Sequence, residues 1–201
     1  MSARAQKTDT KVAAPVEVDG RRQRSDASRR KIALAMLDLL REGEADPSAD
    51  LVAERAGVGR RTVFRLFSDM EGVFREMHAI MTSRLTPAFA QPLTATTWRG
   101  RLDELIERRA KAFEQMLPIK TAADARRYTS NFLTFEHKNI TRLQRQALLA
   151  VLPATLARND MLEALDLTLS FEAWRRLRYE QGLGVKQAQE VLRRIVSALV
   201  D

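Results

Sequence analysis

Cysteine is absent from this 201-residue chain, so disulfides, thiol nucleophiles and every metal site built on thiolates are excluded. Histidine is scarce: His78 and His137 stand far apart, neither in a metal-ligand spacing, so each reads as a surface or interface residue and no metal is expected. Aromatic residues make up only 6% of the chain, with few near its basic segments, which argues against a single-stranded RNA reader that stacks bases on rings. No run approaches the roughly 18 apolar residues of a membrane span. The N-terminal stretch carries Lys7, Lys11, Arg21, Arg22 and Arg24 without the apolar core of a signal peptide. No glycine-rich phosphate cradle or nucleophile motif is present, and the pairs Glu71/Glu76 and Glu104/Glu107 read as solvent-facing features of helices. The expectation is a soluble cytoplasmic protein with no cofactor, no catalytic residues and no membrane partner.

What is present is positive charge and helical periodicity. The net charge is +8, with a sequence pI near 10.4, so a polyanion is a natural partner. Hydrophobic residues form 45% of the chain, enough for an ordinary core. Residues 1–20 show no apolar period and have the composition of a flexible tail. Arg21, Arg22, Arg24, Arg29, Arg30 and Lys31 then concentrate charge where the first periodic segment begins.

From Asp26 to Glu42, Ile32, Met36, Leu39 and Leu40 recur at helical spacing, widened by Ala33 and Leu37. Gly43 and Pro47 break that helix, and Ser48 stands where an N-cap belongs. A short helix follows with Ala49, Val52, Ala53 and Ala56 on its apolar face. Gly57 ends it, and Gly59 precedes a third helix, Arg60 to Phe67. Ser68 or Asp69 caps a fourth, running to about Leu85. Pro87, Pro92 and Thr94 to Thr97 read as a loop and a domain boundary. Helices are expected over 98–117, 122–135, 138–156, 160–181 and 185–200, and no strand of useful length. The fold class is all-α, with a compact four-helix block at 21–85 and a larger helical block at 86–201.

A helix-turn-helix requires a small residue where its helices cross, a turn residue tolerant of positive φ, and apolar residues behind the second helix. Ala53, Gly57 and Val63 supply these in order, with Val58 plugging the turn and Leu66 or Phe67 facing inward. Arg60 and Arg61 at the start of the second helix, the basic arm before the first helix, and the overall charge point together to DNA.

The stretch Ser48 to Met70 resembles the N-terminal domain of TetR-family regulators in position, helix lengths and register, over about residues 25–75. Phe64 stands where that family usually has Tyr, and Met70 where it usually has Lys. One phenolic hydroxyl and one ammonium that commonly touch phosphate are therefore absent, and Arg21, Arg22, Arg24, Arg29 and Arg30 are the expected replacements. The resemblance implies a ligand-responsive repressor binding a palindromic operator in double-stranded DNA as a homodimer. Arg60 and Arg61 are then expected at bases or phosphates, Thr62 and Phe64 at phosphate, sugar or a thymine methyl, and Arg65, Ser48 and the Gly59 region at the backbone.

In the C-terminal half, Leu162, Leu165, Leu169, Ala173 and Leu177 line one helix face, while Ala188, Leu192, Ile195, Val196 and Leu199 line another. Such faces can cover a core; the resemblance implies that they pair with their copies across a dimer interface. The same resemblance implies a small, largely apolar effector among the middle helices, where Phe113, Met116, Leu117, Tyr128, Phe132, Phe135 and Trp174 are available. Two other readings stay open on residues alone: a basic helical protein that binds RNA or a membrane surface, and a helical enzyme.

Overall fold

The computed structural model describes residues 20–201, with backbone alone at Arg21 and Asn159. The expected flexible tail lies outside the described residues except for Gly20, which opens the first helix.

Among the described residues nine α-helices follow one another: α1 (Gly20–Arg41), α2 (Ala49–Ala56), α3 (Arg60–Leu66), α4 (Met70–Ala90), α5 (Trp98–Arg126), α6 (Asn131–Leu149), α7 (Asn159–Thr168), α8 (Phe171–Arg175) and α9 (Val185–Val200). A 3-10 turn, Arg127–Thr129, links α5 to α6, and a π-turn, Arg176–Glu180, extends α8. There is no strand among the described residues, so the all-α expectation stands.

Local chemistry sets the starts of these helices. Ser48 Oγ accepts the Leu51 amide, Asp69 accepts that of Gly72, and Thr97 that of Gly100, each satisfying a donor the helix leaves open. Several expected boundaries differ. Pro87 lies inside α4 and Pro118 inside α5, where loops were expected. A helix-interior proline costs about 3 kcal/mol. Each fully buried apolar side chain contributes roughly 1.5–3 kcal/mol. Helix α5 buries Leu102, Leu105, Ile106, Phe113 and Leu117 before Pro118 or beside it, and Ala122 after it, so packing outweighs the penalty.

Serine does the opposite at two places where one helix was expected. The 3-10 turn and Ser130, whose Oγ accepts the Leu133 amide, divide the expected helix 122–135. Ser170, accepting the Ala173 amide, divides 160–181 into α7 and α8. A serine hydroxyl offers the backbone an alternative to the helical ladder. At the second break, Arg109 donates from Nη1 to the Leu169 carbonyl at 2.9 Å and from Nη2 to the Gln144 carbonyl. This guanidinium is almost wholly buried, and burial pulls its pKa down to about 10.

Two cores result. The first joins Ile32, Met36, Leu37, Val52, Ala53, Val63, Phe67, Val73, Phe74 and Met77 from α1–α4, and also takes in Ala122 and Leu133 from α5 and α6. The second gathers Leu102, Ile106, Phe113, Leu148, Leu165, Phe171, Trp174 and Leu192. Met116 packs against both. Helix α5 is the shared beam between them.

Candidate DNA interface

The turn between α2 and α3 is built on Gly57. Its φ of 60° and ψ of 42° lie in the left-handed region, where a Cβ is penalised. From there its amide bonds the Glu54 carbonyl at 2.9 Å, and the Val58 amide bonds the Ala53 carbonyl at 3.0 Å. This double closure is a Schellman motif, and Val58 packs onto the core as its hydrophobic contact. Ala53, 3% exposed, leaves room for the helices to cross, and Val63 and Phe67 fix the inner face of α3. Phe67, not Leu66, is the fully inward residue.

The outer face of α3 follows from that anchoring. Arg60, Arg61, Phe64 and Arg65 are exposed, and Thr62 is half-buried. Phe64 leaves 44% of its surface to solvent, high for a large apolar side chain beside a formed core. Gly59 precedes α3 in an extended conformation with no side-chain cap, so the first α3 amides are open to an external acceptor. Arg60 Nη1 sits 2.8 Å from Asp50 Oδ2, and its guanidinium lies 5.5 Å from the Phe64 ring centre. Both partners of that ion pair are mostly exposed, where such pairs are worth about 0.2–1 kcal/mol, so Arg60 can exchange Asp50 for a phosphate or base.

The remaining expected contacts divide. Arg22 and Arg24 are exposed on the first turns of α1, with Arg24 Nε donating to the Gly20 carbonyl. Arg30 is exposed further along the same helix. The side chain of Arg21 lies outside the described residues. Ser48 is exposed, though its hydroxyl oxygen already serves the α2 cap. Arg29, expected at phosphate, is turned inward: it donates to the Leu66 carbonyl, lies 3.4 Å from Glu76 and stacks 4.3 Å from the Phe67 ring centre. No sequence signal marks this role, because its partners lie far along the chain. The links between head and remainder escape sequence reading for the same reason. Arg126 pairs with Asp46 and stacks on Phe74, and Ser130 donates to Glu71 at 2.6 Å.

Of the seven residues expected around an effector, one lines a cavity between α4, α5 and α6. That cavity is about 80 Å³ and includes Met116 beside Met77, Met81, Ile119 and Ile140. Phe113, Leu117 and Trp174 are core instead, Trp174 donating from Nε1 to Glu114 at 2.8 Å. Phe132 packs beside the cavity edge-on to His78, at 5.8 Å between ring centres. Tyr128 and Phe135 are 81% and 65% exposed. Helical spacing identifies apolar residues without saying which neighbour they meet. Both histidines, expected at the surface or an interface, line this cavity.

Near one end of the cavity, ligand atoms of Asp124, His137 and Glu172 lie within 4.8 Å of one another. Lys120 occupies the middle of this group, with Nζ 2.9 Å from Asp124, 3.3 Å from His137 Nδ1 and 3.6 Å from Glu172. Its ammonium stands where a cation would have to sit.

In the C-terminal half, Leu162, Leu165, Leu169, Leu177, Ala188, Leu192 and Val196, expected at a dimer interface, are buried in the chain's own second core, and Leu177 and Leu192 also line the groove between α7, α8 and α9. Periodicity identified their inner face. On the other side, Leu167 is 72% exposed and Ile195 42% exposed, flanking a shallow groove that reaches Ala173 between α7, α8 and α9. Leu199 is half-buried at the core's edge.

No family model and no curated protein matches this sequence. Among solved structures, a TetR transcriptional regulator from Rhodococcus sp. RHA1 superposes with a TM-score of 0.53 at 20% identity, over 89% of this chain and 97% of that one. At that identity the likeness speaks for architecture alone: the chain has the all-helical fold of that TetR regulator, carried over nearly its whole length.

Proposed function

We propose that the chain is a DNA-binding transcriptional regulator that acts as a homodimer on a two-fold symmetric operator and is released by a small effector. The observation that carries this reading is the outer face of α3: Arg60, Arg61, Phe64 and Arg65 project from a helix whose inner face is locked by Val63, Phe67 and the Gly57 turn.

Arg60 and Arg61 enter the major groove, where a guanidinium fork matches guanine O6 and N7. Thr62 and Phe64 meet sugar, phosphate or a thymine methyl. Arg65, Ser48, the open amides after Gly59, and Arg22 and Arg24 on α1 neutralise backbone phosphate, with Arg21 extending the same arm. Arg29 holds α3 in place instead. A single seven-residue helix reads too few bases to be selective, so a second copy doubles the contacts. The groove bounded by Leu167, Ala173 and Ile195 is the face offered to that copy.

An effector between α4, α5 and α6 would alter the angle of α4, which leaves the reading head at Met70, and so change the spacing of the two heads. The deciding experiment selects duplex DNA from a random pool with the full chain. A palindromic consensus whose half-sites lie about one helical turn apart is expected. Recovery of no consensus, or of single-stranded RNA in preference, refutes the reading.

A further inference from the structure

The cavity between α4, α5 and α6 has a wall of one character and an edge of another. Met77, Met81 and Met116 give it three flexible, polarisable side chains that can repack around a guest. At about 80 Å³ it is roughly half the size of a cavity of about 150 Å³ that takes benzene, so a ring enters only as these side chains repack.

Its charged edge is asymmetric. Two carboxylates, Asp124 and Glu136, line the cavity against one ammonium, Lys120. That ammonium is already engaged: Asp124 meets it at 2.9 Å and Glu172 at 3.6 Å. Asp124 is further occupied by Arg127 at 3.8 Å and His137 at 3.6 Å. Glu136 differs. Its Oε2 lies 3.1 Å from His78 Nε2, and it has no other polar partner among the described residues. The His78 ring is held edge-on against Phe132, so that approach has a fixed direction. Glu136 is thus a mostly buried carboxylate with spare acceptor capacity beside an apolar hollow.

We infer that this cavity binds a small organic monocation with an apolar body, its ammonium pairing with Glu136 and its body lying against Met77, Met81 and Met116. An anion entering the same space meets Glu136 and Asp124 while finding the Lys120 charge already taken. Burial and the neighbouring Lys120 and Arg127 charges hold the His137 pKa below its ordinary value, so at neutral pH that ring adds no positive charge to the edge. The inference names the ligand class of the effector site proposed above, and rests on that reading only for its consequence at DNA.

The test compares phenethylamine, 2-phenylethanol and phenylacetate by calorimetric titration into the full chain without DNA. These probes share one body and differ in head charge. The amine is expected to bind about tenfold or more tighter than the alcohol, a difference of about 1.4 kcal/mol, and the carboxylate weakest. Glu136→Gln, checked for an unchanged melting profile, is expected to remove the preference for the amine while leaving alcohol binding in place. Equal binding of amine and alcohol, tighter binding of phenylacetate, no binding of any probe at millimolar concentration, or an amine preference that survives in Glu136→Gln overturns the inference. Because DNA is absent, these outcomes are independent of operator recognition; a chain that binds the amine but selects no DNA sequence refutes the regulator reading alone.

Discussion

Arg29 donates from Nη1 to the carbonyl oxygen of Leu66, 37 residues later, and so ties the middle of the first helix to the end of the helix proposed to read DNA. The same guanidinium stacks on Phe67 and faces Glu76, which brings α1, α3 and α4 to one charged group. An arginine in a basic stretch is thereby a positioning residue.

Removing it should act on stability more than on phosphate. Arg29→Ala is expected to cost about 1.5–3 kcal/mol, the range for a hydrogen bond to a charged group, with the salt dependence of DNA binding little changed. Arg22→Ala and Arg24→Ala should leave the melting temperature in place and each lower the salt slope by about one. Thermal denaturation and DNA titration across salt concentrations separate the two behaviours. A lowered slope in Arg29→Ala would place it at phosphate after all.

Asp50 restrains Arg60 through an exposed ion pair. Replacing it by Asn should change stability by less than about 1 kcal/mol. DNA affinity should rise, more for random sequence than for operator, since a freed guanidinium gains phosphate contacts without gaining base selectivity. Weaker binding of random DNA by the variant would argue that Asp50 orients Arg60 productively.

Gly57→Ala forces a Cβ into the left-handed region and should cost about 1–2 kcal/mol. Asn at the same position should cost less, because its side chain tolerates that conformation. Chemical denaturation of the two variants checks the order Gly, Asn, Ala.

Leu167→Glu and Ile195→Glu probe the exposed face across α7 and α9. Both should yield a monomer in sedimentation while the melting transition of each chain persists, since neither side chain belongs to the core. Leu165→Ala, at a fully buried position, should instead cost about 2–5 kcal/mol. A dimer retained in both glutamate variants would move the interface elsewhere.

His137 gives stability a pH dependence of defined sign. Its folded-state pKa lies below the ordinary 6.5, so below that pH the unfolded chain binds more protons. The contribution is therefore complete above about pH 6.5 and is lost as pH falls toward the folded-state value. Urea denaturation between neutral and mildly acidic pH should show this decline, and His137→Asn should flatten it.

The head of the molecule was legible because its signals are local. Ser48, Gly57 and Asp69 act on backbone groups within a few residues of themselves, and Ala53 and Val63 lie on helices that adjoin in sequence. The C-terminal half was less so. An apolar stripe such as Leu162, Leu165 and Leu169 records that a face is buried, and the chain's own core satisfied it before any second copy could. Pro118 was misread because its helix is held from both sides by packing that involves distant segments. The cavity was hidden because three separate helices build it, and Glu136 has no distinguishing neighbour in the linear order.

One consequence follows from Met116 touching both cores and from Ala122 and Leu133 completing the first. The four-helix head has no finished surface of its own: severing the chain after α4 would expose Phe74, Met77, Ile80 and Met81 to water. Such a piece would aggregate rather than stand free. Swapping heads between chains of this shape would then require moving the second half of α5 and the start of α6 along with them, so the unit of exchange is larger than the first four helices.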